Sequence, residues 1–332
     1  MKVLLSHGDG GRATHQLIKE VFQASFNDVE LDKELDAAIL DQQGGRMAIT
    51  TDTFVIRPLF FPGGDIGKLA VTGTINDLAV SGARPAFITV GFILEEGLEL
   101  DTLKQIVQSM ARTAEEAGVR IVAGDTKVVE KGKCDQLYVN TTGIGFCNEY
   151  IKLSYQHIKQ GDRVIINGGI AEHATSVLAE RMDVPLSSNV SSDCRILNGI
   201  IDQLLTEFHT IRFMRDPTRG GIATTLKEIA EHAEIDIWLE EESIPILPEV
   251  RGTLELMGLE PYYMANEGKV LLIASEEESE RIVDFLKAIP GQENASVIGH
   301  VSNGEGSVFL KTSTGGTRIL DMLSGEPLPR IC

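Results

Sequence analysis

The 332-residue sequence has 49 acidic against 30 basic residues, a net charge of −19, and is 42% hydrophobic. That much negative charge repels phosphate backbones and anionic lipid headgroups, which argues against nucleic acid and membrane as partners, while the apolar fraction is too high for a disordered chain. The longest apolar stretch, Ala86–Leu94, is far short of a bilayer span, and the opening MKVLLSHGDGG has too short an apolar run for a secretion signal, so a cytoplasmic protein is expected.

Hydrophobic periodicity predicts a helix over Ala13–Phe22, a strand over Met47–Thr51, a helix over Gly67–Ser81 and a strand over Ala86–Leu94. A helix over Asp101–Ala117 follows, with Asp101 as N-cap and Gly118 as its stop, and then strands over Val119–Ala123 and Gln136–Gly143. The pattern restarts beyond a junction near Asn148–Lys159. It predicts a strand over Arg163–Ile166, helices over Ala171–Met182, Ser192–Phe208 and Gly221–Ala233, and strands over Lys269–Ala274 and Ala295–His300. This is an α/β chain of the α+β type, with two similar mixed α/β domains, 1–150 and 151–320, and a tail, 321–332. The alternating prolines of Glu326-Pro-Leu-Pro-Arg-Ile-Cys332 favour an extended, stiff segment with a reach on the order of 20 Å.

The four cysteines form no C-x-x-C pair, and the seven histidines form no H-E-x-x-H. Cys134, Cys147 and Cys194 are expected to be reduced and buried as small hydrophobes. Packing does not account for Cys332 at the end of the sequence. Two phosphate-binding motifs are imitated. Gly8-Asp-Gly-Gly-Arg-Ala13 fits a dinucleotide fingerprint, yet only Val3-Leu4-Leu5 precedes it as a strand. Gly63-Gly-Asp-Ile-Gly-Lys-Leu69 falls one residue short of a P-loop, with Leu69 where a magnesium-binding hydroxyl belongs, and reads as a turn into the following helix.

Several polar residues fall where packing alone has no use for them. The segment Lys68–Ser81 is apolar or small on nearly every face, so its helix should be buried, with Asn76 and Asp77 in the middle. A buried carboxylate needs a cation or several donors, and either a metal or local backbone and Arg partners would serve Asp77. Asp52 follows the strand MAITT and Asp125 follows VRIVAG, which places both at strand carboxyl ends, where α/β sheets bind ligands. Three converging hard carboxylates suit Mg²⁺ bridging to phosphates, with Lys127 aimed at the same place. In the second half, Asp216-Pro-Thr-Arg219-Gly-Gly is either an anion site or merely a well-capped helix start. Glu267, in the Gly-flanked turn of ANEGK, reads by position alone as a solvated carboxylate, and the Asn167–His173 loop either as an anion site or, the favoured reading, as a structural turn.

Taken together, these residues resemble the HypE family of carbamoyl dehydratases, part of the aminoimidazole-ribonucleotide-synthetase-like superfamily of ATP-using enzymes. The resemblance covers essentially the whole chain, through GDGGR, TTDTFVIRPLFFPGGDIGKLAVTGTINDLAVSGARP, GFILEEG, IVAGDTKVV and NTTGIG in the first half and DPTRGG, ANEGK and PRIC in the second. It implies ATP and Mg²⁺ as cofactors, with Asp52, Asp77 and Asp125 at the acidic magnesium–ATP positions and Asn76 beside them. It also implies cofactor-binding roles for Asp216 and Arg219. Lys127 and Glu267 match positions that orient and deprotonate the modified thiol group, and Cys332 matches the cysteine that accepts a carbamoyl group from the carbamoyltransferase HypF. The implied function is ATP-dependent dehydration of S-carbamoyl-Cys332 to a thiocyanate. This supplies cyanide for the iron of the [NiFe]-hydrogenase active site, with the HypC–HypD complex as acceptor. A homodimer formed through the N-terminal domains is implied as well. One departure, Ala174 where the family pattern has glycine, predicts altered loop geometry there, since alanine resists positive φ.

Overall fold

The computed structural model describes residues 2–7, 12–29, 45–182, 190–323 and 331. Its first part runs through α1 (Arg12–Leu17), a π-helical turn over Ile18–Gln23 and α2 (Ala24–Phe26) to β1 (Arg46–Phe54). Two short strands, β2 (Phe60–Phe61) and β3 (Gly64–Asp65), lead into α3 (Ile66–Val80), followed by β4 (Ala83–Glu95), α4 (Leu100–Ala117), β5 (Arg120–Val129) and β6 (Leu137–Cys147). Strands β1, β6, β4 and β5 form one sheet in that order. All neighbours are antiparallel except β4 and β5, between which α4 makes the crossover that parallel pairing requires. Alternation along β4 buries Ile88, Val90, Phe92 and Leu94 on the face covered by helices and leaves Ile93 exposed on the other.

Two of these strands outrun their predicted limits. Asp52 pairs with Thr141 inside β1, and Asp125 pairs with Gly91 inside β5, so neither aspartate stands beyond a strand end. Backbone ladder bonds extend through both residues because their amides and carbonyls pair within the sheet while their side chains leave it on opposite faces, Asp52 on the side of α3 and Asp125 on the exposed side. Helix α4 starts earlier than expected, with Glu99 at the N-cap position making no side-chain capping bond and Asp101 inside the first turn rather than at the cap, while Gly118 ends it at φ 69°, as its sequence predicts. Val3–Leu5 forms no strand: Lys2 makes a single bridge to Glu99 and Leu5–His7 is a 3-10 turn, while Gly8–Gly11 lie outside the described residues. The Gly63–Leu69 segment is the expected turn, with Asp65 capping α3 by accepting from the amides of Gly67 (2.7 Å) and Lys68 (3.1 Å).

The second domain comprises β7 (Arg163–Ile166), α5 (Glu172–Met182), α6 (Asn198–Glu207), β8 (Ile211–Arg215), α7 (Gly221–Ala233), β9 (Ile235–Glu240), α8 (Pro248–Met257), β10 (Leu271–Ala274), α9 (Glu276–Lys287), β11 (Ser296–Asn303), β12 (Val308–Lys311) and β13 (Thr317–Leu320). Its sheet has the order β13-β12-β9-β11-β7-β10-β8. The helix predicted from Ser192 begins only at Asn198, because bonds to other elements take the backbone amides before it. Ser192 donates to the Pro62 carbonyl (2.7 Å), and Leu197 donates to Asn76 Oδ1 (2.8 Å). Ala174 lies within α5 and needs no positive φ; Ala171 is the residue that takes φ 69° there. Among the cysteines, Cys194 is buried but Cys134 and Cys147 are only partly so, contrary to expectation.

Helix α3 explains its own composition. It packs on β1, β4 and β6 of its own sheet, on α4, and on α6 and β8 of the other domain. A helix with neighbours all round needs apolar or small residues on every face. A Cβ at Gly73 would lie 3.0 Å from the Phe54 ring, so any larger residue there would have to push that ring aside for α3 to sit this close to the sheet.

Candidate functional site

The junction that α3 makes with the second domain gathers carboxyl groups. Asp52 comes from β1, Asp77 from α3, Asp216 from the turn after β8, Glu267 from the turn before β10, and Asp193 from the irregular segment before α6. Asp52 and Asp77 hydrogen-bond to each other, which requires a shared proton, and Thr50 Oγ1 donates to Asp77 Oδ2 at 2.8 Å. Burial and then the charge of Asp77 push the Asp52 carboxyl up to about 6, against a pull from Arg219; burial also raises Asp77. Asp216 is pushed up to about 7, first by burial and then by Asp77 and Asp52.

Glu267 is not the solvated carboxylate its turn predicts, being only 4% exposed. Burial, and then Asp193, Asp216, Asp52 and Asp77, hold its carboxyl well above the ordinary range. Its Oε1 has no hydrogen-bond partner in the structure described. Polar interactions of the turn's backbone fix the residue. Both Asp193 oxygens accept the Glu267 amide at 3.2 Å, and Asp193 Oδ2 accepts that of Gly268 at 3.1 Å. Asn266 stitches the same turn to its neighbours, accepting from the Ala171 amide (2.8 Å) and donating to the Pro217 (2.8 Å) and Met264 (3.0 Å) carbonyls. The DPTRGG turn is thereby held by ANEGK, and its Gly221, at φ 60°, lies so close to the Tyr262 and Met264 carbonyls that no Cβ fits.

The expected magnesium set does not assemble in one subunit. Asp125 and Lys127 lie on the opposite face of the sheet from α3, both exposed and paired with each other at 3.2 Å. Three strand spacings, about 14 Å, also separate β5 from β1. Among the described residues no group of three or more His, Cys, Asp or Glu is arranged to hold a metal ion. Asp52 and Asp77 nevertheless fit Mg²⁺: they are hard oxygen donors that now need a proton between them, and Mg²⁺ commonly takes only one or two carboxylates beside phosphates and water. Asn76 is placed differently from its expected cofactor role. Its side chain joins the domains, donating to the Arg195 (3.0 Å) and Glu267 (3.4 Å) carbonyls and accepting from Leu197. Arg219 is exposed at the start of the α7 turn and acts on Asp52 electrostatically.

Four further residues of the site escape a reading of the sequence. Asp193 and Lys269 are buried in a chain of charges, with Lys269 Nζ 2.9 Å from Glu172 and 3.7 Å from Asp193. Ser192 Oγ is 2.7 Å from His173 Nδ1, and the other ring nitrogen of His173 lies 2.7 Å from the Ile331 carbonyl oxygen. Their only sequence signal is polarity inside an otherwise helical pattern, at Ser192-Asp193 and Glu172-His173. Cys332 lies outside the described residues. A separate cleft of about 1480 Å³ opens between the domains at the Ala83 and Cys147 ends of β4 and β6, and none of the site's carboxyls lines it.

Two α/β domains with a carboxyl cluster at their junction define the AIR-synthase-related class, and the family's N-terminal and C-terminal domains match residues 34–147 and 159–311 respectively. Within that class the chain belongs to the carbamoyl dehydratase HypE family. It is 45% identical to carbamoyl dehydratase HypE of Rhodobacter capsulatus over 334 residues, covering 100% of this chain and 98% of the relative. A crystal structure of hydrogenase maturation protein HypE in complex with ATP superposes with a TM-score of 0.95 at 43% identity, covering 99% of each chain. A chain of a crystal structure of a HypE–HypF complex gives 0.81 at 43% identity, covering 92% of this chain and 99% of that one. Among the described residues no helix is long and apolar enough to cross a membrane.

Proposed function

We propose that this chain uses ATP to dehydrate an S-carbamoyl group carried on its own Cys332 to a thiocyanate, supplying cyanide for the iron of the [NiFe]-hydrogenase active site. The observation that supports this most directly is the position of Ile331. It is 4% exposed, and its carbonyl meets His173, which is joined through Ser192 to the segment whose Asp193 holds the Glu267 turn. The residue next to Cys332 is thus already inside the molecule, on the network that fixes Glu267.

Oxygen cannot leave a thiocarbamate carbon as hydroxide at a useful rate. Transfer of the ATP γ-phosphoryl group to that oxygen lets the C–O bond break with phosphate as leaving group, while the nitrogen gives up its protons and the C≡N bond forms. Asp52 and Asp77 would hold Mg²⁺, which when bound neutralises and orients the phosphates. Arg219, exposed at the rim, offers a cation to the nucleotide, and Asp216 adds a further hard oxygen near the pair. Glu267 takes protons from the nitrogen; a carboxyl made more basic than usual by its burial and lacking a hydrogen-bond partner at Oε1 is suited to that task.

The active form is a homodimer. The outer face of the first sheet exposes Met47 (56%), Ile49 (60%) and Ile93 (44%), a flat apolar surface that a second copy of this chain would cover. Asp125 and Lys127 share that face, so their roles toward ATP and the developing oxyanion depend on the second subunit. HypF is the carbamoyl donor and the HypC–HypD complex the cyanide acceptor, in the cytoplasm. When the carbamoylated protein receives Mg²⁺ and ATP, the mass of its C-terminal peptide should fall by one water. An unchanged mass overturns the proposal.

A further inference from the structure

His173, near the N-terminal end of α5, is fully buried, with its ring edge-on to Phe61 at 5.3 Å between centroids. One ring nitrogen faces an atom that can only accept: Nε2 lies 2.7 Å from the Ile331 carbonyl oxygen, so it carries the proton and donates. In the neutral ring Nδ1 is then an acceptor, and the Ser192 hydroxyl donates to it at 2.7 Å. Ser192 Oγ in turn accepts the Cys194 amide at 3.1 Å, and the Ser192 amide donates to Pro62. Burial keeps the imidazole below its ordinary range and therefore uncharged, against a pull from Asp193. Each polar atom of the ring is used, and the partner of Nε2 lies 158 residues away in the sequence. A histidine buried only for packing could satisfy that nitrogen from its own domain core.

We propose that His173 is a positioning residue, which seats the end of the chain by holding the Ile331 carbonyl and so fixes the amide that joins Cys332 to it. That carbonyl carbon is bonded directly to the Cys332 nitrogen, so one hydrogen bond restrains the substrate-bearing residue within a single peptide unit. Ser192 completes the seat by fixing the ring, and it lies beside Asp193, which sets the Glu267 turn. The end of the chain and the proton acceptor are therefore referenced to one three-residue segment. The seating stands on the hydrogen bonds alone; its catalytic use rests on the reading of Cys332 as the carbamoyl carrier.

Two substitutions separate the two ring nitrogens. His173→Asn leaves an oxygen near the place of Nδ1 for Ser192 and removes the donor to Ile331. His173→Gln puts an amide nitrogen near the place of Nε2 and restores that donor. The readout is the alkylation rate of Cys332 by iodoacetamide in the full-length protein, followed by mass spectrometry of the C-terminal peptide. Labelling should be on the order of tenfold faster in H173N than in wild type, the loss expected for one buried hydrogen bond, and should return toward the wild-type rate in H173Q. Equal rates in all three proteins overturn the seating. A second measurement needs no change at His173: deletion of residues 331–332 should shift the imidazole Nε2 resonance of His173, and an unmoved resonance also overturns it. The dehydration assay is independent. Carbamoylated wild-type protein that loses no water refutes the carrier reading while leaving the labelling result to stand; carbamoylated H173N that loses water as fast as wild type shows that the seat plays no part in catalysis.

Discussion

Asp193 holds Glu267 by its backbone: both carboxylate oxygens of Asp193 accept the Glu267 amide at 3.2 Å, although 74 residues separate the two in sequence. Because the anchoring falls on the backbone of the turn and not on the Glu267 carboxyl, Oε1 is left without a hydrogen-bond partner. Asp193→Ala removes the acceptor of two buried amides and one neighbour of the buried Lys269. The expected cost is about 3 kcal/mol, read as the change in urea unfolding free energy. A loss below about 1 kcal/mol would mean that water or Glu172 replaces Asp193 there.

The raised carboxyls set a pH dependence of stability. Asp52 and Asp216 titrate in the folded protein at about 6 and about 7 against an ordinary 3.8, and Glu267 is raised as well. Groups raised by folding bind more protons in the native state, so their contribution is complete below about 4 and disappears as the pH climbs through about 7. The Tm of the metal-free protein should therefore fall between pH 4.5 and 7.5, and Asp216→Asn should flatten the fall. A Tm that rises over this interval contradicts the cluster.

If Asp52 and Asp77 hold magnesium with ATP, the proton they share is displaced on binding. Asp77→Asn should weaken Mg²⁺–ATP binding by about tenfold or more in calorimetry, about 1.4 kcal/mol. Binding of ATP without metal should change far less. Equal weakening of both would assign Asp77 a purely structural role.

Ile49→Glu places a charge in the middle of the exposed apolar sheet face, where Ile49 is 60% exposed. The substitution should leave the fold and the Tm of the subunit within a few degrees, because the side chain is mostly exposed on the subunit. If the proposed homodimer uses this face, sedimentation should show dimers for the wild type and monomers for the variant. A dimer that survives must use another surface.

Periodicity and glycine placement in the sequence determine most elements of the fold. The all-apolar helix α3, the stop at Gly118 and the strands of both halves are local consequences of residue order, since propensity, capping and alternation act within a few residues. The sequence likewise marks Asp52, Asp77 and Asp216, because carboxyls in apolar or glycine-rich settings stand out wherever they fall, whereas Glu267 is marked only through the family resemblance. Tertiary structure alone decided which of them meet. Sheet alternation sent Asp125 and Lys127 to the face away from α3, and Asn76 became a clasp between domains because the backbone at 195–197 reached it first. The same cross-domain bonds took the amides that would have continued α6 toward Ser192. Burial of Glu267, and the bond from His173 to Ile331, depend on contacts spanning the length of the chain, and no local pattern encodes which distant group will fill a hydrogen-bonding site.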